Sequence, residues 1–268
     1  MGDILRKSLA PITQAAWEEI NEEATRIFKT KLTARKVVDI DGPHGWEKSA
    51  INLGRLEIAA SKTGEGVTWG KRVVQPLIEV RIPFSLNQME MDNVERGSKD
   101  AELEPLQQAA HKLADFEERA LFEGFGDGGI QGIIEASDHT PITIKGDASE
   151  YLKPVSEGVN ILANAGIEGP YNLVLGSPLY QNLLQSTCPG YPPFKMIKDM
   201  IGGEIMWSQS LDGGVLLSNR GGDFEFTLGQ DISIGYAHHD REKIELYFAE
   251  SFTFRVLDPV AAIGFSSK

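Results

Sequence analysis

Apolar positions recur with a helical period between Thr13 and about Leu32, where Trp17, Ile20, Ala24, Ile27 and Phe28 fall on one face behind Pro11 and a capping Thr13. This predicts an amphipathic helix. Its apolar stripe has to be covered by its own subunit, a neighbouring subunit or a bound peptide. A second helix is predicted from Pro105, with Leu106, Ala109, Ala110, Leu113, Phe116, Ala120 and Leu121 in register, ending near Gly124. Between them, Ser49 to Phe84 breaks into the strand-like pieces Leu56–Ile58 and Val73–Ile82, separated by the polar run Ser61–Gly66. That pattern predicts a long hairpin with a flexible tip, suited either to a lid over an enzyme or to an arm laid on a neighbouring subunit.

The second half mixes both periods. A helix is expected around Tyr151 to Ala165, with Pro154 disturbing its start, then a strand at Tyr171–Leu175 and helical turns near Leu179–Gln185 and Lys195–Met200. Arg220–Asp223 reads as a turn, Gly229–Tyr236 as a strand, and Glu250–Val256 alternates with period two. No repeat, low-complexity tract or Pro/Ser linker divides the chain. The mixed order of helices and strands makes the fold class α+β.

A chain of 268 residues can bury a large core, and its 24% charged and 41% hydrophobic content argues against global disorder. The net charge of −13 disfavours attraction to nucleic acid or an anionic membrane, so neither is expected as a partner. No apolar run approaches the roughly 20 residues of a bilayer span, and the first residues lack a secretion signal, so the expected location is the cytoplasm. A single cysteine, Cys188, excludes an intramolecular disulfide framework and multi-cysteine zinc sites.

Candidate chemistry is thin. Gly124–Gly129 spells GxGxxG, but a dinucleotide site needs a strand before the glycines, and here a helix precedes them. Gly66–Lys71 fails as a P-loop because the first glycine is misplaced and Arg72 stands where a hydroxyl would hold magnesium. His238-His239-Asp240 reads as turn chemistry, since adjacent histidines on an extended chain face opposite sides. Glu117 and Glu118, with His111 behind them, lack the Glu-x-x-His pair of a di-iron carboxylate site. No Gly-x-Ser-x-Gly elbow is present. These absences point away from an enzyme.

Several phrases carry a family resemblance: Leu9-Ala10-Pro11-Ile12-Thr13 leading to Trp17, Ile27-Phe28-Lys29-Thr30, Gly42-Pro43-His44-Gly45-Trp46-Glu47, Met91–Gly97, Gly166–Tyr171 and the block Asn219–Pro259. From about residue 4 to about residue 264 the chain resembles the encapsulin shell proteins, a linocin-like family related to the major capsid proteins of tailed phages. The resemblance implies the Hong Kong 97 phage capsid-like fold. Its parts would be an amino-terminal helix and arm (1–48), an extended loop (49–84), a peripheral domain (85–134 and 221–268) and an apical domain (135–220). It also implies a homo-oligomeric icosahedral shell, a nanocompartment of the simplest, sixty-subunit kind, around a cargo enzyme. That cargo would be a ferritin-like iron oxidase or a dye-decolourising peroxidase, serving iron storage or oxidative-stress defence. The rival readings are a phage capsid protein and a secreted bacteriocin or protease.

By the same resemblance, the cargo's targeting peptide would dock at Phe28, Leu32, Arg35 and Asp39, with Ile232 and Ile234 as apolar neighbours. The loop around a five-fold pore would hold Thr187, Cys188, Pro189, Gly190 and Tyr191. Some relatives bind a flavin through an aromatic residue in the segment matching Phe84–Glu90; Met89 takes that place here, so no cofactor is expected.

Overall fold

A computed structural model describes residues 4–58, 67–145, 150–186 and 191–267. Two five-stranded sheets and a projecting hairpin organise them. The first sheet is built around one long strand, β11 (Lys243–Val256), in which every residue from Leu246 to Thr253 except Tyr247 is buried. At 14 residues it is long enough to take β4 (Ile78–Asn87) along one edge. The other edge carries β10 (Ser233–His239) and then β9 (Phe224–Leu228) in succession, and β1 (Asp39–Asp41) runs parallel to β9. Helices α1 (Gln14–Lys31) and α3 (Glu104–Phe122) pack together, and α3 lies against β4 and β11. Ile20, Phe28, Leu106, Leu113, Phe84 and Phe248 share the resulting core.

The short helix α2 (Gln88–Glu95) packs on α1 and β4, and the short helix α4 (Ile133–Ala136) packs on α3. The second sheet has the order β5 (Ile142–Thr143), β12 (Ala262–Ser266), β8 (Gly214–Ser218), β6 (Tyr171–Gly176) and β7 (Gly202–Ser208). Every residue of β6 and β8 is buried, as expected of central strands covered by helices. The helices here are α5 (Leu152–Asn164), α6 (Ser177–Gln185) and α7 (Pro193–Ile201). Pro154 falls in the first turn of α5, where a missing N–H breaks no helical hydrogen bond, so the helix starts undisturbed.

Strand pairing redraws some limits expected from sequence. The hairpin consists of β2 (Ala50–Ile58) and β3 (Gly70–Pro76), which pair only with each other, while residues 78–84 already belong to the first sheet through β11. The carboxy-terminal β12 crosses into the second sheet, away from the strands that precede it in sequence. The strand predicted from Gly229 begins only at Ser233, because Asp231 turns its carboxylate onto the N–H of Ile232 and the loop ties to Ser251 through the N–H groups of Gly229 and Gln230. His238 and His239 close β10 rather than forming the turn. Asp240 makes it, accepting the N–H groups of Glu242 and Lys243 at 2.8 Å each. The GxGxxG stretch is a helix exit: Gly124 sits at φ 106°, and a Cβ there would meet Gly132 N at 3.0 Å.

Candidate functional site, a groove between the first helix and a sheet edge

The first helix is capped by Thr13, whose hydroxyl accepts the N–H of Ala16 at 3.3 Å, and its buried stripe runs down to Phe28. Beyond Leu32 the chain tightens into a 3-10 turn, Ala34–Lys36. Two long-range bonds hold that turn. The Thr33 hydroxyl donates to the carbonyl of Trp207 at 2.8 Å, and the N–H of Ala34 donates to Glu118 Oε1 at 2.6 Å. Arg35 is thereby aimed inward.

Its guanidinium forms a bidentate pair with Glu117, Nε to Oε1 at 2.8 Å and Nη2 to Oε2 at 2.6 Å, and donates also to Glu250 and, at 2.8 Å, to Asp231. It lies 5.4 Å from the centre of the Phe226 ring. Burial works against the charge of Arg35, but the bonds and charge of Glu117, then those of Glu250 and Asp231, hold its pKa above the ordinary value. Glu250 is fully buried and its Oε2 has no hydrogen-bond partner. Burial first, and the nearby charge of Glu117 second, push its carboxyl well above the usual range. Glu118, on the adjoining position of α3, is raised to about 7 by burial, against the opposing bonds from Ser208 and Ala34.

A groove with a cavity volume of about 530 Å³ opens beside this cluster. One wall is α1, from Asn21 to Leu32, with Phe28 set edge-on to Phe248 at 5.3 Å. The other is the chain from Asp231 to Ile234, with Lys7 at one end and Arg35 and Lys36 at the other. Phe28, Leu32, Arg35, Ile232 and Ile234 therefore meet in one place. Asp39 does not. It lies in β1, where its carboxylate accepts the N–H of Gly222 at 2.6 Å and anchors the turn from Arg220 to Asp223. The carboxylate that pairs with Arg35 in the groove is Asp231, which is 45% exposed and accordingly accessible to a ligand.

Asp231, Glu250 and Phe248 escape the sequence reading, which considers Glu117 only as a metal ligand. For Glu117 a signal existed: it stands four residues after Leu113 and four before Leu121, in the middle of an apolar stripe. A charge there demands a buried partner. Thr187, Cys188, Pro189 and Gly190 lie outside the described residues. Tyr191 is exposed, its hydroxyl donates to Asp199, and Lys195 stands 5.1 Å from its ring centre. Ionisable groups thus adjoin the expected pore loop, although its own sequence carries no acid or base. Met89 is exposed on the first turn of α2 and presents a thioether, with Arg96 Nη1 at 3.6 Å, instead of a ring face.

A family profile described as "Encapsulating protein for peroxidase" matches residues 2–253. The chain is 44% identical over 269 residues to a type 1 encapsulin shell protein of Rhodospirillum rubrum, covering 98% of this chain and 96% of that one. This chain belongs to the encapsulin shell proteins. A type 1 encapsulin shell protein of Mycobacterium tuberculosis is 39% identical, with 98% of each chain covered. Among solved structures, a virus-like particle from Pyrococcus furiosus superposes with TM-score 0.65 at 16% identity, covering 92% of this encapsulin and 97% of that chain. The capsid of Myoviridae phage XM1 superposes with TM-score 0.56 at 10% identity, covering 88% and 92%. At such identities the likeness concerns the fold alone, and that fold is the Hong Kong 97-like capsid fold. The protein is accordingly a capsid-fold shell subunit that acts in a multi-subunit assembly. Among the described residues, no helix is long and apolar enough to cross a membrane.

Proposed function

We propose that sixty copies of this encapsulin close into an icosahedral shell in the cytoplasm and that the groove beside Arg35 retains a guest enzyme by a short peptide. On this reading the first sheet with α1 and α3 is the peripheral domain, the second sheet with α5, α6 and α7 is the apical domain, and the β2–β3 hairpin is the extended loop. The loop ending at Tyr191 surrounds the five-fold pore. The shell subunit itself is not the enzyme. The guest is a ferritin-like iron oxidase or a dye-decolourising peroxidase, and the description of the matching family favours the peroxidase.

The observation that carries the proposal is the groove itself. Phe28, Leu32, Ile232, Ile234 and Phe248 give it an apolar lining, and the half-exposed Asp231 offers a site for a basic residue. Each apolar side chain seated there contributes about 1.5–3 kcal/mol. After the loss of freedom on association, a single peptide binds weakly, and retention follows from many identical sites facing one enclosed volume.

Phe28 is a poor residue to replace, because it is 9% exposed and packs on Phe248. Ile232 is only partly buried, which makes Ile232→Asp the better test. We expect closed particles of unchanged size, by negative-stain microscopy and sedimentation, that have lost their guest protein. Intact particles with the same guest-to-shell ratio would remove the groove from the proposal.

A further inference from the structure

Four consecutive residues, Asp231, Ile232, Ser233 and Ile234, all line the groove. Asp231 and Ile232 belong to the turn before β10, but Ser233 and Ile234 are neighbours within the strand, where side chains alternate between two faces, so both reach one cavity only if the strand's backbone edge borders it. Hydrogen bonding further along gives the direction of that edge. The N–H of Tyr236 donates to the carbonyl of Leu5 at 2.8 Å, although Tyr236 stands opposite Leu246 in the ladder between β10 and β11. Tyr236 therefore turns its backbone groups away from β11. In an antiparallel ladder these directions alternate, so Ile234, opposite Phe248, also points its N–H and C=O outward, toward the groove.

The groove is thus, among the described residues, an open strand edge facing a helix wall on which Ala24, Phe28 and Leu32 are interspersed with Asn21, Thr25 and Lys29. On the evidence of this edge, and resting on the guest-peptide reading above, we infer that the guest peptide binds as an added strand along β10. Main-chain bonds to Ile234 would hold it, and its alternate side chains would enter the space between Phe28, Leu32 and Phe248. A turn of the amino-terminal arm already sits against this edge, since Leu5 takes the N–H of Tyr236. That contact marks where the guest strand must stop. At the other end Arg35 and Asp231 close the groove. The α1 wall from Asn21 to Leu32 measures about 17 Å at the helical rise. An extended peptide covers that length with about five residues. The recognised segment is therefore short, extended and apolar at every second position, and its affinity is insensitive to exchanges among β-branched and leucine side chains that keep that alternation.

Amide hydrogen exchange on intact particles tests this directly. Guest-loaded particles from the native host are compared with particles of this chain produced alone, at a guest-to-shell ratio measured on each sample, with fragmentation that resolves Ile234 from Gly235. The outward amide of Ile234 exchanges readily in empty particles, and strand addition slows it roughly tenfold or more in the occupied fraction. Protection confined to 21–32 and absent at Ile234 would overturn strand addition while leaving the groove as the docking site. Equal exchange throughout both segments in well-loaded particles would overturn the docking site and the strand together.

Discussion

Glu118 offers the sharpest test of the electrostatics beneath the groove. Its carboxyl is 1% exposed and holds two elements together, accepting from Ala34 N–H at 2.6 Å and from the Ser208 hydroxyl at 2.7 Å. Burial raises its pKa from an ordinary 4.5 to about 7, so the folded subunit binds this proton more tightly than the unfolded chain does. The associated stability is complete below pH 4.5 and is lost as the pH rises through 7, after which it is flat. At about 1.36 kcal/mol for each pH unit of that window, the loss is about 3 kcal/mol. Glu118→Gln mimics the neutral form. Its amide oxygen still accepts from Ala34, and its amide nitrogen donates to the Ser208 oxygen, whose hydrogen is free to rotate. Thermal unfolding of the wild type and the variant, each as assembled particles in matched buffers from pH 4.5 to 8, isolates this group, because all other titrations are shared. The wild type should lose roughly 6–12 °C more than the variant across the window, at about 2–4 °C for each kcal/mol. Parallel pH profiles would refute the argument.

Other outcomes follow from the same geometry. Arg35→Met strips the cation from the buried Glu117 and should destabilise the subunit by about 3–5 kcal/mol in denaturant titrations, whereas adding Glu117→Gln to it should recover most of that loss. Arg35→Lys should not substitute, since one ammonium cannot reproduce the bidentate pair with Glu117 while also reaching Asp231 and Glu250. Gly213→Ala drives a methyl into the carbonyl of Phe265 on β12, and should lower stability by about 1–3 kcal/mol and increase exchange of the β12 amides. Riboflavin 5′-phosphate titrated onto particles should show no quenching of its fluorescence, because the exposed Met89 lacks a ring on which the isoalloxazine stacks.

The sequence by itself determined α1 and α3, because a stripe such as Trp17, Ile20, Ala24, Ile27 and Phe28 is local and repeats every few residues. It indicated a hairpin on either side of the polar run Ser61–Gly66, although Ile78–Ile82 of the expected second arm pair with β11 instead, and it indicated the family through phrases spread over nearly the whole chain. It also singled out five of the six residues offered for the docking site that now share a groove. The tertiary structure alone decided which acid answers Arg35. The partners lie 82, 196 and 215 residues away, and among 39 acidic residues nothing local distinguishes Asp231 from Asp39. Only β1 running off beside β9, while the loop before β10 turns back toward α1, separates the two. The crossing of β12 into the second sheet was equally hidden, since a short buried strand names neither its sheet nor its partner. Periodicity records which face of an element is buried, and long-range pairing depends on where the whole chain brings that face.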